Sequence, residues 1–346
     1  MSTHRLYVPR LLGHCFALVT IAALSWACGA TTTQTGQQAR GRGAPIAERG
    51  ATKPSGESSA EPGATESPSQ AQSSHRVQLS RPLKVDDRGR VHIKVVSEIR
   101  QSFTMGDKNR ETNQKLQVEV KAIQTVRKVT AEGRVLSIDL LIDQAIANVG
   151  DTEVELAPKG SVLSVKRFGS PPRMTLDGGP VSMKIKRLLK QVFSIKDLSS
   201  TDQELFGTDT TLSVGETWLV NGEALSEMFS KIGLNVAAEN ISGESTLLGV
   251  NKCGQTVCQK TKTDFSASDF QPMKATPNVD VQDASFSGYA KRSLAAVPMS
   301  GPSTANEGFD MVMKLAMERN GVVMEMGRSV IYKRSYTWVP MRAAAP

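Results

Sequence analysis

The sequence predicts a mainly β, β-rich α+β fold: long, curved antiparallel sheet or sheets, with two or three helices in the middle of the chain packed on the sheet. Three observations lead there. Between Val91 and Ile146, three segments alternate apolar and polar residues with period two. Between Val181 and Ile232 the apolar spacing lengthens to three and four residues, the helical period. From Val236 onward the alternation returns, and it ends at Asn320-Gly321, a preferred two-residue hairpin turn.

The chain begins with a segment that does not belong to this fold. Arg5 and Arg10 precede an apolar stretch from Leu11 to Leu24, and Ser25 and Ala27 put small residues where a signal peptidase reads. Residues 1–27 therefore read as a secretory signal, with ordinary secretion the alternative to lipidation at the cysteine that follows. Leu24-Ser25-Trp26-Ala27-Cys28 resembles the bacterial lipoprotein signal, although Ser25 stands where an aliphatic residue is usual. The resemblance implies a diacylated Cys28 that anchors the mature chain to a membrane. Gly29, rather than an aspartate, implies the outer membrane, facing the periplasm or the surface. Residues 28–78 are mostly Ala, Gly, Ser, Thr, Gln and Pro, too poor in apolar surface to fold, and read as a tether.

The folded part is expected over residues 79–341, as one domain or two closely packed halves: a β segment at 79–180, helices at 181–233 and a second β segment at 234–341. Val91, Ile93, Val95, Ile99 and Phe103 form the first apolar row, and Leu116, Val118, Val120, Ala122 and Val126 the second. Leu136, Ile138, Leu140, Ile142 and Ile146 form the third. The runs reach about 13 residues, roughly 43 Å, which favours a strongly curved sheet over a compact sandwich. Shorter strands are expected at residues 152–156, 161–167 and 173–176.

In residues 181–195, Met183, Ile185, Leu188, Leu189, Val192 and Phe193 recur mostly at three- and four-residue steps, with Lys184, Lys186, Arg187 and Lys190 largely opposite. Ser199-Ser200-Thr201-Asp202 can cap a short helix ending near Phe206, and residues 222–232 give a third. A basic amphipathic helix can bind membranes or acidic partners, but the simpler reading is a sheet cover with a wet charged face.

Two cysteines remain in the folded part. Cys253 and Cys258 flank Gly254-Gln255 in a short loop, which reads as a disulfide at a hairpin tip in an oxidising compartment. The Asn320-Gly321 turn sets the final register, because positions paired across it must sum to 641. Phe309, Met311, Met313, Leu315 and Met317 then share a face with Val322, Met324, Met326, Arg328, Val330 and Tyr332. Methionine fills cores and also lines adaptable apolar sites. Met311, Met313, Leu315, Met317, Met324 and Met326 are accordingly a candidate apolar ligand face, with core filling as the plainer reading.

Motifs for chemistry are missing. Of four histidines, His92 alone is expected in the folded part, so no metal site, cofactor or histidine-based triad is expected. No Gly-x-Ser-x-Gly, Ser-x-x-Lys, His-Glu-x-x-His or Walker sequence occurs. A hydrolase built on a carboxylate pair stays open, since such pairing is invisible in sequence. Export argues against nucleic acid as a partner, despite the net charge of +8.

The leader, tether, long alternating strands and helical middle, with Val214-Gly215-Glu216-Thr217-Trp218, resemble a group of bacterial envelope lipoproteins of unknown function. The architecture is also similar to the periplasmic lipoprotein-carrier fold, a half-barrel with an apolar cavity. These resemblances imply a non-enzymatic structural or interaction module of the envelope, or a lipid or hydrophobic-ligand carrier with a Met-lined cavity. The partners implied are the membrane through Cys28, and an apolar ligand or envelope protein.

Overall fold

The computed structural model describes residues 74–79, 82–131, 133–166, 173–193, 201–231, 233–272, 279–319 and 322–341. The leader, Cys28, most of the tether and the Asn320-Gly321 dipeptide lie outside the described residues.

In chain order the first strands are β1 (His75–Arg76), β2 (Arg88–Met105), β3 (Lys108–Val129), β4 (Val135–Val149), β5 (Thr152–Glu155), β6 (Val162–Lys166), β7 (Arg173–Leu176) and β8 (Gly179–Pro180). Helices α1 (Met183–Val192) and α2 (Asp202–Phe206) come next, then β9 (Thr211–Leu212), β10 (Thr217–Leu219) and helix α3 (Gly222–Lys231). The chain closes with β11 (Leu234–Asn235), β12 (Ile241–Cys253), β13 (Thr256–Ser268), β14 (Gln271–Pro272), β15 (Val279–Ala295), β16 (Ser303–Arg319) and β17 (Val322–Pro340).

Thirteen strands form one antiparallel sheet in the order β10-β12-β13-β15-β16-β17-β2-β3-β4-β6-β7-β8, with β5 also paired to β4. The last long strand lies beside the first, from Met324↔Met105 to Pro340↔Gly89, so both β segments belong to the same sheet. β10 and β8 are its two edges, and the sheet is open rather than a closed barrel.

Period-two patterning gives the sheet one apolar face, here called inner, and one polar face. Along β2, Val91, Ile93, Val95 and Ile99 are buried, with exposed His92 and Val96 between them and exposed Arg100 after. The third row differs from expectation beyond Ile142. Lys121 pairs with Gln144 but Ala122 with Ile142, which leaves Asp143 as an extra residue. That bulge reverses the alternation. Ala145 and Ala147 are therefore the buried residues, and Ile146 is only half-buried.

The helices cover the inner face. α1 packs on β2 and β3, burying Leu189 and Val192, while Lys184 and Arg187 stay exposed. α2 begins with a capping box: the Thr201 hydroxyl accepts from the Glu204 amide, and the Glu204 carboxylate accepts from the Thr201 amide. α3 buries Leu225, Met228 and Phe229. Each such side chain contributes roughly 1.5–3 kcal/mol through removal from water. Trp218 of the Val-Gly-Glu-Thr-Trp segment is a packing anchor, its indole Nε1 donating to the Phe206 carbonyl at 2.8 Å.

Residues 75–78, expected in the tether, are part of the fold. β1 pairs with β9, and Val77 and Leu79 are buried in the core. The Gln259 side chain grips this strap from both sides, accepting from the Gln78 amide at 3.1 Å and donating to the Arg76 carbonyl at 2.7 Å. A strap with only two apolar residues is too short to show a period, so nothing in its sequence separates it from the tether.

Candidate functional site

The β16–β17 register follows the expected rule throughout. Every pair from Ser303↔Trp338 to Arg319↔Val322 sums to 641. The six candidate residues of the apolar face therefore lie together on the inner face, but not in one environment. Met311 is 2% exposed and Met313 4%, flanked in register by Phe286 and Ala284 of β15. Met324 is also buried, Leu315 and Met317 are half-buried, and Met326 is 39% exposed. The face thus runs from a packed core at Met311 and Met313 to a mixed stretch nearer the hairpin tip, where exposed Met326 lies beside half-buried Phe103 and buried Met324 beside exposed Met105 of β2.

The packed part is built on a ladder of rings. Phe206, Phe265, Phe286, Phe309 and Tyr332 follow one another with centroids 5.2–5.4 Å apart, and Phe229 of α3 meets Phe286 edge-on. Gly288 leaves the room this needs: a Cβ there would lie 2.5 Å from Phe265 Cε1. The Tyr332 hydroxyl donates to the Gln191 carbonyl at 3.3 Å, tying the end of α1 to the ladder.

Beside the ladder lies a band of charge that the sequence pattern did not reveal. Arg334 Nη1 donates to Glu307 Oε1 at 2.9 Å, with both side chains largely buried. Arg292, buried on β15, lies 3.5 Å from Asp202 of α2, with its guanidinium over the Phe206 ring. Arg334 similarly lies over Tyr336. Burial pulls the Arg334 pKa down, but the Glu307 carboxylate outweighs it and the net shift is upward. Burial pushes the Tyr336 phenol up to about 12, against the opposing charge of Arg334. The Glu307–Arg334 pair is an internal ionic latch between β16 and β17, and the Arg292–Asp202 contact joins α2 to β15 beside it.

On the polar face, His92 Nε2 lies 3.0 Å from Glu119 Oε1, and Lys121 Nζ lies 3.1 Å from the same oxygen. Burial alone would raise the Glu119 pKa, but those two hydrogen bonds lower it. Asp139 is lowered in the same way: burial is overcome by hydrogen bonds from Ser164 at 2.6 Å and Arg127 at 2.8 Å. Both carboxylates are stabilised as anions, which does not suit either as a proton donor near neutral pH.

Cys253 and Cys258 form a disulfide across the β12–β13 hairpin, with Gly254 in the left-handed region at the turn. Among the described residues, no group of three or more His, Cys, Asp or Glu side chains could hold a metal ion. No described helix is long and apolar enough to cross a membrane.

No protein-family model matches the chain, and no curated protein is significantly similar to it. Among solved structures, OpdQ of Pseudomonas aeruginosa is similar at 6% identity over 74% of this chain and 98% of its own, with a TM-score of 0.19. CymD, a monoaromatic hydrocarbon channel, is similar at 6% identity over 74% and 89%, with a TM-score of 0.10. A loop-deletion mutant of OmpT, an outer membrane protein of Vibrio cholerae, is similar at 8% identity over 71% and 99%, with a TM-score of 0.11. TM-scores this low carry neither a fold nor a function across.

Proposed function

We propose that the chain is an exported, lipid-anchored, non-enzymatic structural or interaction module of the bacterial cell envelope, held at the outer membrane through Cys28. The leader, the cysteine that follows it and the low-complexity tether support the location. One structural observation carries the module reading: the inner face is filled by the chain's own side chains. Met311, Met313, Phe309, Val330 and Tyr332 belong to one buried cluster with α1 and α3 residues such as Leu189 and Phe229. A carrier needs that volume for its cargo; here methionine serves as packing.

Labelling cells with radioactive palmitate tests the anchor. The wild-type chain is expected to take up label and sediment with membranes, and Cys28→Ser to do neither. An unlabelled, soluble wild-type protein would sink the proposal.

Exposed Met326 and half-buried Met317 favour a second reading, a site for an apolar ligand at the open end of the same face. An apolar fluorescent probe distinguishes the two. Binding that is lost in Met326→Asp, with thermal stability retained, supports the ligand site. Met313→Asp is the wrong variant for this purpose, since it would place a charge in the core.

A further inference from the structure

The polar face carries a feature that packing of the inner face does not require. Two adjoining concavities of about 730 and 490 Å³ lie across β12, β13, β15 and β16, and share Ser242, Ser266, Ser287 and Asp310. The strand register arranges their side chains in rows. Leu219, Glu244, Asp264 and Tyr289 stand side by side in the first. Ser242, Ser266, Ser287 and Asp310 form the second. Ser268, Ser285 and Val312 form the third. With strands about 4.8 Å apart, each full row spans roughly 14 Å.

Four properties of this surface narrow what it fits. Tyr289 lies flat over Gly308: a Cβ on that glycine would be 2.9 and 3.0 Å from ring atoms Cε1 and Cζ. Gly308 has no positive φ, and the space it leaves accommodates both the Tyr332 carbonyl, 2.6 Å from such a Cβ, and the Tyr289 ring. Leu219, at the far end of the same row, is 78% exposed. Between them Glu244 and Asp264 face each other directly, a like-charge pairing that costs sheet stability, with Lys262 on Asp264 as a neighbouring cation. Finally, among the described residues no lysine or arginine lines either concavity, although the chain carries a net +8.

We propose that this face binds a glycan chain of neutral or amino-sugar units. Sugar rings have apolar faces that lie on a flat aromatic or aliphatic tile, as Tyr289 and Leu219 provide. Their hydroxyls both donate and accept, and so do the serine rows; carboxylates accept from sugar hydroxyls and attract protonated amines. With Glu244, Asp264 and Asp310 in the described lining and the nearby Lys262 already paired to Asp264, the surface selects against sulfated, phosphorylated or uronic polymers. The shallow, open shape suits a long polymer lying across the strands better than a small molecule, which a deeper pocket would enclose. The proposal stands on a different face from the methionines and does not depend on the anchor at Cys28.

The test uses the full chain in detergent, with chito-oligosaccharides of four to six units titrated calorimetrically and insoluble chitin and purified peptidoglycan for retention. Dextran sulfate and oligolysine serve as counter-probes. The chito-oligosaccharide is expected to bind and dextran sulfate not to. Tyr289→Ala and Ser266→Arg are each expected to weaken binding by about tenfold. Ser266→Arg should melt with the wild type, since Ser266 is exposed. The Cys28→Ser chain should bind the glycan as the wild type does, which separates failure of this proposal from failure of the anchor. Lack of binding to all three glycans, or binding unchanged in both variants, overturns it. So does binding of oligolysine alone, which would mark the face as a site for basic peptides.

Discussion

The ionic latch gives a sharp test of how the inner face is held. Glu307 and Arg334 approach to 2.9 Å with side-chain exposures of 8% and 16%. Their attraction at an effective dielectric of 20 is about 6 kcal/mol, of which the cost of removing both from water consumes most. Glu307→Leu removes the attraction and keeps the cost. Arg334 would remain buried without this carboxylate, and its Nε already has no partner among the described residues. The expected loss is about 3–5 kcal/mol, or roughly 6–20 °C in melting temperature for a domain of this size. The double variant Glu307→Leu/Arg334→Met removes both charges and should return to within about 1 kcal/mol of wild type. Urea unfolding of the wild type, both single variants and the double variant measures each term and their coupling. A single-variant cost below about 1 kcal/mol, or a double variant as costly as the two singles together, would refute the reasoning.

Three other perturbations probe separate parts of the fold. Gly288→Ala drives a Cβ to within 2.5 Å of the Phe265 ring and should cost about 1–3 kcal/mol by urea unfolding; no loss would mean that the ladder has slack. Asp139 has a folded pKa below its ordinary 3.8, so its contribution is present above that value and disappears as pH falls through the lower, folded one. Asp139→Asn should therefore cost about 1–3 kcal/mol at pH 7, a difference that closes in unfolding curves as pH falls below 3.8 and through the lower, folded pKa. The Cys253–Cys258 bridge closes a loop of sequence separation 5, so Cys253→Ser/Cys258→Ser should lose only about 2 kcal/mol and keep its circular dichroism spectrum.

Sequence patterning revealed the elements far better than their neighbours. The three long strands, the α1 and α3 faces and the Thr201 cap are local signals, carried by alternation, three-to-four spacing and a capping residue. The register of β16 on β17 was legible because one dipeptide constrains every pair along 17 residues of β16. The pairing of β17 with β2 was not legible, because it joins the two ends of the domain through no local turn. Asp143 shows a different limit: a bulge needs no special residue, so the switch from Ile146 to Ala145 and Ala147 is visible only in the ladder. The turn register was enough to put the six apolar residues on one face, but not to show which of them are buried. Glu307 and Arg334 face each other by the same turn register, but that register does not show their burial, and Arg292 meets Asp202 only through the docking of α2. The outer rows were hidden for the same reason, since Ser242, Ser266 and Ser287 come from three strands.

The central claim is an anchored module whose inner face is closed by its own side chains. Mass spectrometry of protein taken from its native membrane tests it most directly, once under native conditions and once denatured. The denatured protein is expected to lack residues 1–27, to carry acyl chains on Cys28 and to be two hydrogens lighter for the disulfide, and the native mass to show nothing added. A lipid-sized adduct that is present in the native spectrum and lost on denaturation would contradict the closed face. A chain without acyl groups would contradict the anchor.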